Sequence, residues 1–461
     1  SGFLIGTHPN TQFTFSRSIV LFLSKIILEK KKTMGIAREN RVEVKSMLTQ
    51  VSSKPSGSGR VHTFTALDNA MSPHTVHVIL YYARSPFGSF DVDSVRIPLS
   101  ELLSLYPPVV GRVTKNPDGI WEVTCNDAGL RVLQAKVCVG IDEWLRSADG
   151  HDELDLTAWE DMPEDPSTWS PFRLQINEFE GGGVAIGLSC PHRQADPTTL
   201  TVLLKSWTEA QRRQCIVHPP SFSPLPYNLA DTDAVKSDGE SFPKPVSTKT
   251  ATATFRFSDS AFKRCLDEYS IDGASPFDVF AALLWTRVAL VKRNCDRVSI
   301  CVDFRRLLPD PLPYGFFGNA LNFSSLEISD VVNKGIGHVA RSINDHVTSL
   351  DVEKIRSDLN RIRSHGQIYG KDLTIVNMEH MIVEGEPLMY EAVFQDGTRP
   401  VHVSYRIRNE GGEGVITVMP SPEKGFGRTV AVSLAEEEMS RLLSDQEILR
   451  FDPKIILSGV N

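Results

Sequence analysis

With 461 residues, 41% hydrophobic and 23% charged, the chain has the composition of a soluble globular protein and is long enough for two domains of comparable size. A net charge of −8 argues against a nucleic-acid binder, which needs a basic face to release counterions, but leaves room for local basic patches that would hold a phosphorylated co-substrate. The seven cysteines are scattered and never form CxxC, so neither a zinc site nor a disulfide framework follows, and a reducing compartment is indicated.

Residues 1–33 read differently from the rest. Their one apolar run, Ile19–Leu28, is broken by Ser24 and Lys25 and followed by Lys30, Lys31 and Lys32. That is short of the roughly 20 apolar residues a spanning helix needs. The segment is read as leader sequence ahead of Met34, with a transit peptide as the alternative. From Val42 a strand (VEVKSMLTQV) leads through the polar Ser52–Gly59 linker to HTFTALDNAM. Gly57-Ser58-Gly59 is linker, not a phosphate loop, because no strand-to-helix junction follows it. His77–Tyr82 reads as a strand, and Val95–Tyr106 as a helix ended by Pro107-Pro108. Strands are predicted at Trp121–Thr124 and Leu130–Leu133. The acidic stretch Gly140–Trp169 reads as surface loop with one short helix at Asp142–Arg146.

In the next stretch Phe172, Leu174 and Ile176 alternate with Arg173, Gln175 and Asn177, the period of a half-buried strand. Gly181, Gly182 and Gly183 supply a tight reversal. Val184, Ile186 and Leu188 alternate again, so a hairpin delivers Pro191 and His192 at its end. Asp196 then stands before Pro197, with Leu200, Leu203, Leu204 and Trp207 at helical spacing: an Asp N-cap with Pro at N1. Beyond it, 217–249 is Pro-, Ser- and Asp-rich crossover between domains 34–216 and 250–461. The second half reads as a strand at Thr250–Phe257, helices at Ser258–Tyr269 and Ser275–Lys292, a strand at Val298–Val302 and helices at Val331–Ser349 and Val352–Gly366. Strands Leu373–Asn377, Val401–Ile407, Gly414–Met419 and Arg428–Leu434 follow, with Gly411–Gly414 as a hairpin turn and a closing helix at Ala435–Ser444. Strands and helices mixed in both halves make this a two-domain α/β protein.

His192 and Asp196 form an HxxxD pattern, of which about one chance match is expected among 12 histidines. His151 and Asp155 indeed form a second, in an acidic stretch with no strand before it. Only His192 has a rigid strand behind it and a capped helix after it. Cys190, two residues earlier, allows a Cys–His nucleophile, but a small apolar residue ending a buried strand accounts for it better.

Together with further segments, this region resembles the plant BAHD acyl-CoA-dependent acyltransferases. LSELLSLYPPVVGRV (99–113) is similar to the family's early helix and its YP-AGR turn, and CNDAGLRVLQA (125–135) to its NDxG strand. VDFRRLLPDPLPYGFFGNAL (302–321) is similar to DGRxRxxPPLPxxYFGN and retains Asp303, Arg305, Pro311, Pro313, Phe317, Gly318 and Asn319. The resemblance runs from about Val42 to the C-terminus. The pattern is departed from in three places: Pro197 replaces a glycine, Leu307 replaces the second arginine, and the DFGWG signature survives in 390–401 only as Phe394, Gly397 and Pro400, with Val393 and Asp396 at its aspartate and tryptophan positions and one extra residue before the proline.

The resemblance implies two chloramphenicol-acetyltransferase-like domains with the catalytic histidine in a solvent channel between them. It implies transfer of an acyl group from acyl-CoA, a co-substrate rather than a bound cofactor, to a small-molecule or lipid alcohol or amine, by a cytoplasmic monomer of plant specialised metabolism. His192 would be the general base, a role a neutral imidazole suits near physiological pH. The acceptor oxygen would attack the thioester directly, without an acyl-enzyme. Asp196 would not polarise His192 but would pair with Arg305, the matching arginine position, and hold the loop's shape. Tyr314–Asn319 is either a turn packed by two aromatics or a substrate contact. The degenerate DFGWG segment also resembles the eceriferum wax subgroup. For that subgroup the resemblance implies an alternative: a non-catalytic accessory factor for very-long-chain fatty acid elongation, working with elongase components at the endoplasmic reticulum.

Overall fold

The computed structural model describes residues 41–459 apart from 88–91, 228, 230–248, 293–294, 363–367 and 409. The leader at 1–33 and most of the 217–249 crossover therefore lie outside the described residues. Two mixed sheets carry the architecture. The first has six strands in the order Val42–Gln50, Leu130–Gly140, Arg173–Glu180, Val184–Pro191, Thr75–Tyr82 and His402–Arg408. At its centre lies the predicted hairpin, Arg173 opposite Ser189 through Glu178 opposite Val184. It turns at Gly181 and Gly182, whose φ of 82° and 95° suits glycine.

The alternating pattern predicts one wet face for this hairpin, yet both faces are covered. On one side the Pro197–Gln211 helix buries Leu200, Leu203, Leu204 and Trp207 in one cluster with Val76, Val78, Leu80, Ile176 and Ile186. Each such side chain contributes about 1.5–3 kcal/mol by leaving water. On the other side lies 140–169, which the sequence assigns to a surface loop with one short helix at Asp142–Arg146; that helix is present, but the stretch is a packed layer rather than surface loop. It forms two helices, Ile141–Ser147 and Gly150–Asp155, with Trp144, Leu156 and Trp169 buried. The polar residues of the hairpin serve this second layer. Gln175 Nε2 donates to the Asp155 carbonyl and Asn177 Nδ2 to that of Leu156, each at 2.9 Å. Polar character here records hydrogen bonds to a covering backbone, not exposure.

The second sheet has seven strands in the order Leu321–Glu327, Arg297–Asp303, Leu373–Asn377, Val415–Pro420, Arg428–Ala435, Thr250–Phe257 and Lys454–Ile456. The two outermost, 321–327 and 454–456, carry no strand pattern in the sequence. The Pro276–Lys292 helix packs in this sheet's core through Phe277, Phe280, Leu284 and Val288. A reciprocal box starts it: Ser275 N donates to Asp278 Oδ2 at 2.8 Å and Asp278 N to Ser275 Oγ at 3.3 Å.

The hairpin turn expected at Gly411–Gly414 is not one. The strand before it, His402–Arg408, pairs antiparallel with Thr75–Tyr82 in the first sheet, whereas Val415–Pro420 pairs with Leu373–Asn377 in the second. Residues 410–414 thus pass from one sheet to the other. On the way Gly411 N donates to the Tyr369 carbonyl at 2.8 Å. Gly370 sits so close below, at φ +72°, that a Cβ there would lie 2.4 Å from the Gly411 oxygen. Between the sheets runs a cleft lined by Tyr405 and Arg406 from the first, Val376 and Val415 from the second, and Pro197 and Tyr369.

Candidate functional site

The last strand of the hairpin ends at Pro191, and the next residue is tied at once to the neighbouring strand: His192 N donates to the His74 carbonyl at 2.9 Å. From the opposite side Asn319 Nδ2 donates to the His192 carbonyl at 2.8 Å and to Asp68 Oδ1 at 2.8 Å. The His192 backbone is thus held from both the strand and the YGFFGN loop. Of that loop's two aromatics, Phe316 stacks under the Arg305 guanidinium and Phe317 joins the first sheet's core.

Asp196 caps the 197–211 helix, as predicted, and is saturated. Its Oδ1 accepts from Thr199 N at 2.8 Å and Arg305 Nη2 at 3.1 Å. Its Oδ2 accepts from Arg305 Nη1 at 2.8 Å and Ala320 N at 3.0 Å. Arg305 also reaches Asp303 through Nη1 and the Phe316 carbonyl through Nη2. Both side chains of the Asp196–Arg305 pair are fully buried. Burial by itself pushes the Asp196 carboxyl up, but the Arg305 charge and the Thr199 and Ala320 amides override it and hold it below the usual carboxylate range. Arg305 is lowered by burial but raised more strongly by Asp196 and Asp303, so it stays charged.

His192 is different. Its side chain is 0% exposed, behind the cleft wall instead of in an open channel as the resemblance implies. The reason is Tyr369, whose hydroxyl lies 3.0 Å from His192 Nε2 with the rings tilted by 30°. Nδ1 is buried without a partner of hydrogen-bond geometry among the described residues. Burial lowers the His192 pKa below its ordinary value of 6.5. The residue's own backbone, the Asp196 charge, the Asn319 side chain and the Ala195 backbone oppose that shift without cancelling it. The imidazole is therefore neutral at physiological pH. No hydrogen bond joins it to Asp196 among the described residues.

Around this centre the other sequence candidates separate. His151 sits exposed in the Gly150–Asp155 helix, its N–H capped by Asp149 at 2.8 Å and its ring against the Thr250 carbonyl at 3.2 Å, with no contact to His192 among those described. Cys190 is fully buried, and burial pushes its thiol well above the ordinary value, which removes the thiolate a nucleophile needs. Leu307 is 37% exposed, outside the Asp196–Arg305 cluster. Phe394 of the degenerate signature packs edge-on against Phe87 at 4.8 Å and Trp207 at 5.0 Å, so that segment keeps its anchoring on the first sheet. Tyr369 escaped the sequence reading because no periodicity or motif marks it. Its only local signal is the Gly370 that follows. In the cleft beside it, burial raises the Glu410 carboxyl to about 7 against the opposing effects of Ser433 and Arg406. Among the described residues no cluster of His, Cys, Asp and Glu is arranged to hold a metal ion, and no helix is long and apolar enough to cross a membrane.

Comparison with known proteins gives three findings. The family model described as "Transferase family" matches residues 40–449. Among curated relatives, Protein ECERIFERUM 26-like from Arabidopsis thaliana is 25% identical over 411 residues, covering 86% of this chain and 92% of its own. Hydroxycinnamoyl-CoA:5-hydroxyanthranilate N-hydroxycinnamoyltransferase HHT4 from Avena sativa is 25% identical over 394 residues, covering 77% and 85%. Among solved structures, vinorine synthase superposes with a TM-score of 0.68 at 20% identity over 89% of this chain and 98% of its own, which shows the shared fold.

Proposed function

We propose, from the premise that this chain belongs to the BAHD acyltransferase family, that it moves an acyl group from acyl-CoA to a hydroxyl or amine of a small-molecule or lipid acceptor, with His192 as general base. The observation that carries this is the contrast within HxxxD. Asp196 is fully engaged by Arg305 and two backbone amides, whereas the His192 imidazole, neutral and fixed at a strand end, keeps Nε2 turned to a cleft-lining side chain.

In this reading the acceptor O–H gives up its proton toward Nε2 while its oxygen attacks the thioester carbonyl. Collapse of the tetrahedral intermediate breaks the C–S bond, and the leaving thiolate takes the proton back. A positioned base of this kind contributes about 10²–10⁴-fold. Segments 34–216 and 250–461 act as the two domains, with His402–Arg408 of the second crossing over to complete the first sheet, and the protein works as a cytoplasmic monomer. Asp196 and Arg305 hold the loop and touch no substrate.

A second reading has its own support: the similarity to ECERIFERUM 26-like, the replacement of the DFGWG aspartate and tryptophan by Val393 and Asp396, and a base with no exposed surface. Here the protein is an accessory factor for very-long-chain fatty acid elongation at the endoplasmic reticulum. Thiol release from acetyl-, malonyl-, hydroxycinnamoyl-, medium- and very-long-chain acyl-CoA with pooled alcohols and amines separates the two. Release that His192→Ala abolishes supports the transferase and identifies its donor. No release, with His192→Ala still lengthening wax chains beside a condensing enzyme, supports the accessory reading instead.

A further inference from the structure

We infer that Tyr369 is the proton relay between the cleft and His192: its phenol receives the acceptor's proton and passes its own to Nε2. The inference rests on the acyl-transfer reading above and adds a second catalytic residue to it.

Three observations converge. First, His192 has no exposed surface and does not line the cleft, whereas Tyr369, 3.0 Å from Nε2, does. Tyr369 is itself only 1% exposed, so the two rings form a buried path that begins at the cleft wall. Second, Tyr369 is not built to swing aside. His74 packs edge-on against its ring at 5.1 Å and Phe323 at 5.1 Å, and its carbonyl is held by Gly411 N. The next residue, Gly370, is packed so tightly on Gly411 that no side chain fits. Third, burial, with the neighbouring Cys301 and Asp196, holds the phenol well above its ordinary pKa of 10, so it enters the reaction protonated and can hand a proton on.

The step balances without any further reactant. As the acceptor oxygen forms its bond to the thioester carbon, its proton moves to Tyr369 Oη, and the phenol's own proton moves to His192 Nε2. When the C–S bond breaks, sulfur leaves with the bonding pair and is protonated along the same path in reverse. Tyrosine and neutral histidine are both regenerated.

The test takes the full chain and the donor–acceptor pair with the fastest thiol release in the panel above, and compares wild type, His192→Ala and Tyr369→Phe. The relay requires Tyr369→Phe, which keeps the ring and its packing, to lose about 10²-fold in kcat with KM changed little. It also requires a curved proton inventory in mixed light and heavy water for the wild type, because two protons move together. Wild-type kcat in Tyr369→Phe overturns the relay, and faster turnover would make the tyrosine a plug. A linear wild-type inventory overturns it even if the variant fails to fold. If His192→Ala matches wild type, or wild type releases no thiol, the general-base reading itself fails and takes the relay with it.

Discussion

Two buried polar clusters lie within four residues of each other, and they are built in opposite ways. Around Asp196 the carboxylate is saturated: four donors reach it, and Arg305 is shared with Asp303 and the Phe316 carbonyl, with only its Nε lacking a partner among the described residues. Around His192 the bonding is incomplete. Among the described residues Nδ1 has no partner of hydrogen-bond geometry, although its own backbone, the Asn319 side chain and the Ala195 backbone lie near it, and both polar side-chain atoms of Gln194 and the Asn319 oxygen are likewise buried without one. A buried polar atom without a partner costs about 1–3 kcal/mol. The carboxylate of one cluster is saturated while most of the two clusters' unpartnered atoms gather at the other, where the proposed chemistry would take place.

The comparison can be broken most sharply through activity. His192→Ala is expected to cut acyl transfer by about 10²–10⁴-fold while leaving the unfolding free energy within about 1 kcal/mol of wild type, because an under-bonded side chain holds little together. A denaturant melt beside the thiol-release assay checks both halves. Next comes stability. Asp196→Ala leaves Arg305 charged and buried with Asp303 as its one remaining carboxylate partner, strips the Thr199 and Ala320 amides of their acceptor, and is expected to destabilise by about 3–5 kcal/mol, cap included. Arg305→Ala should do the same for Asp196, and urea midpoints measure both. Gly370→Ala must open the contact with Gly411 and strain a backbone at φ +72°. It is expected to lower transfer more than it lowers the melting temperature, since Tyr369 moves with it.

A gentler probe is pH. The His192 pKa lies below 6.5, so the base is neutral above its folded pKa and lost as pH falls through it. The acid limb of kcat/KM is therefore expected to have its midpoint below pH 6.5. Glu410 titrates near 7 in the same cleft, so the profile is taken in Glu410→Gln as well. A limb that stays above 6.5 in that variant contradicts a desolvated histidine. The smallest effect belongs to Leu307→Ala, at an exposed position, expected within about 0.5 kcal/mol of wild type.

How legible each feature was depended on how local its cause is. The hairpin could be read because its alternation and its glycines lie within a few residues of each other, and the 197–211 helix because Asp196 and Pro197 announce it. Arg305 came only through likeness to a family, since nothing in DFRRLL says which carboxylate it will meet. Tyr369 meets His192 across 177 residues, and no pattern marks a contact of that kind. The strand at 321–327 was missed because it lies at the edge of the second sheet and its buried polar residues hide the alternation: Asn322 donates to Asp358, and Ser324 shares a hydrogen bond with His346. Polar residues hid the layer over the hairpin for the same reason. Gln175 and Asn177 suggested water, yet they bond to a backbone that local sequence reads as loop. Gly411–Gly414 looks like any hairpin turn until its flanking strands are found in different sheets.

The most direct test of the division of labour within HxxxD is acyl transfer per folded molecule, measured in parallel for His192→Ala and Asp196→Ala. The expected result is a fully folded His192→Ala without turnover, and an Asp196→Ala whose losses follow its unfolded fraction. An Asp196→Ala that is as stable as wild type yet inactive, or a His192→Ala that still transfers, would contradict it.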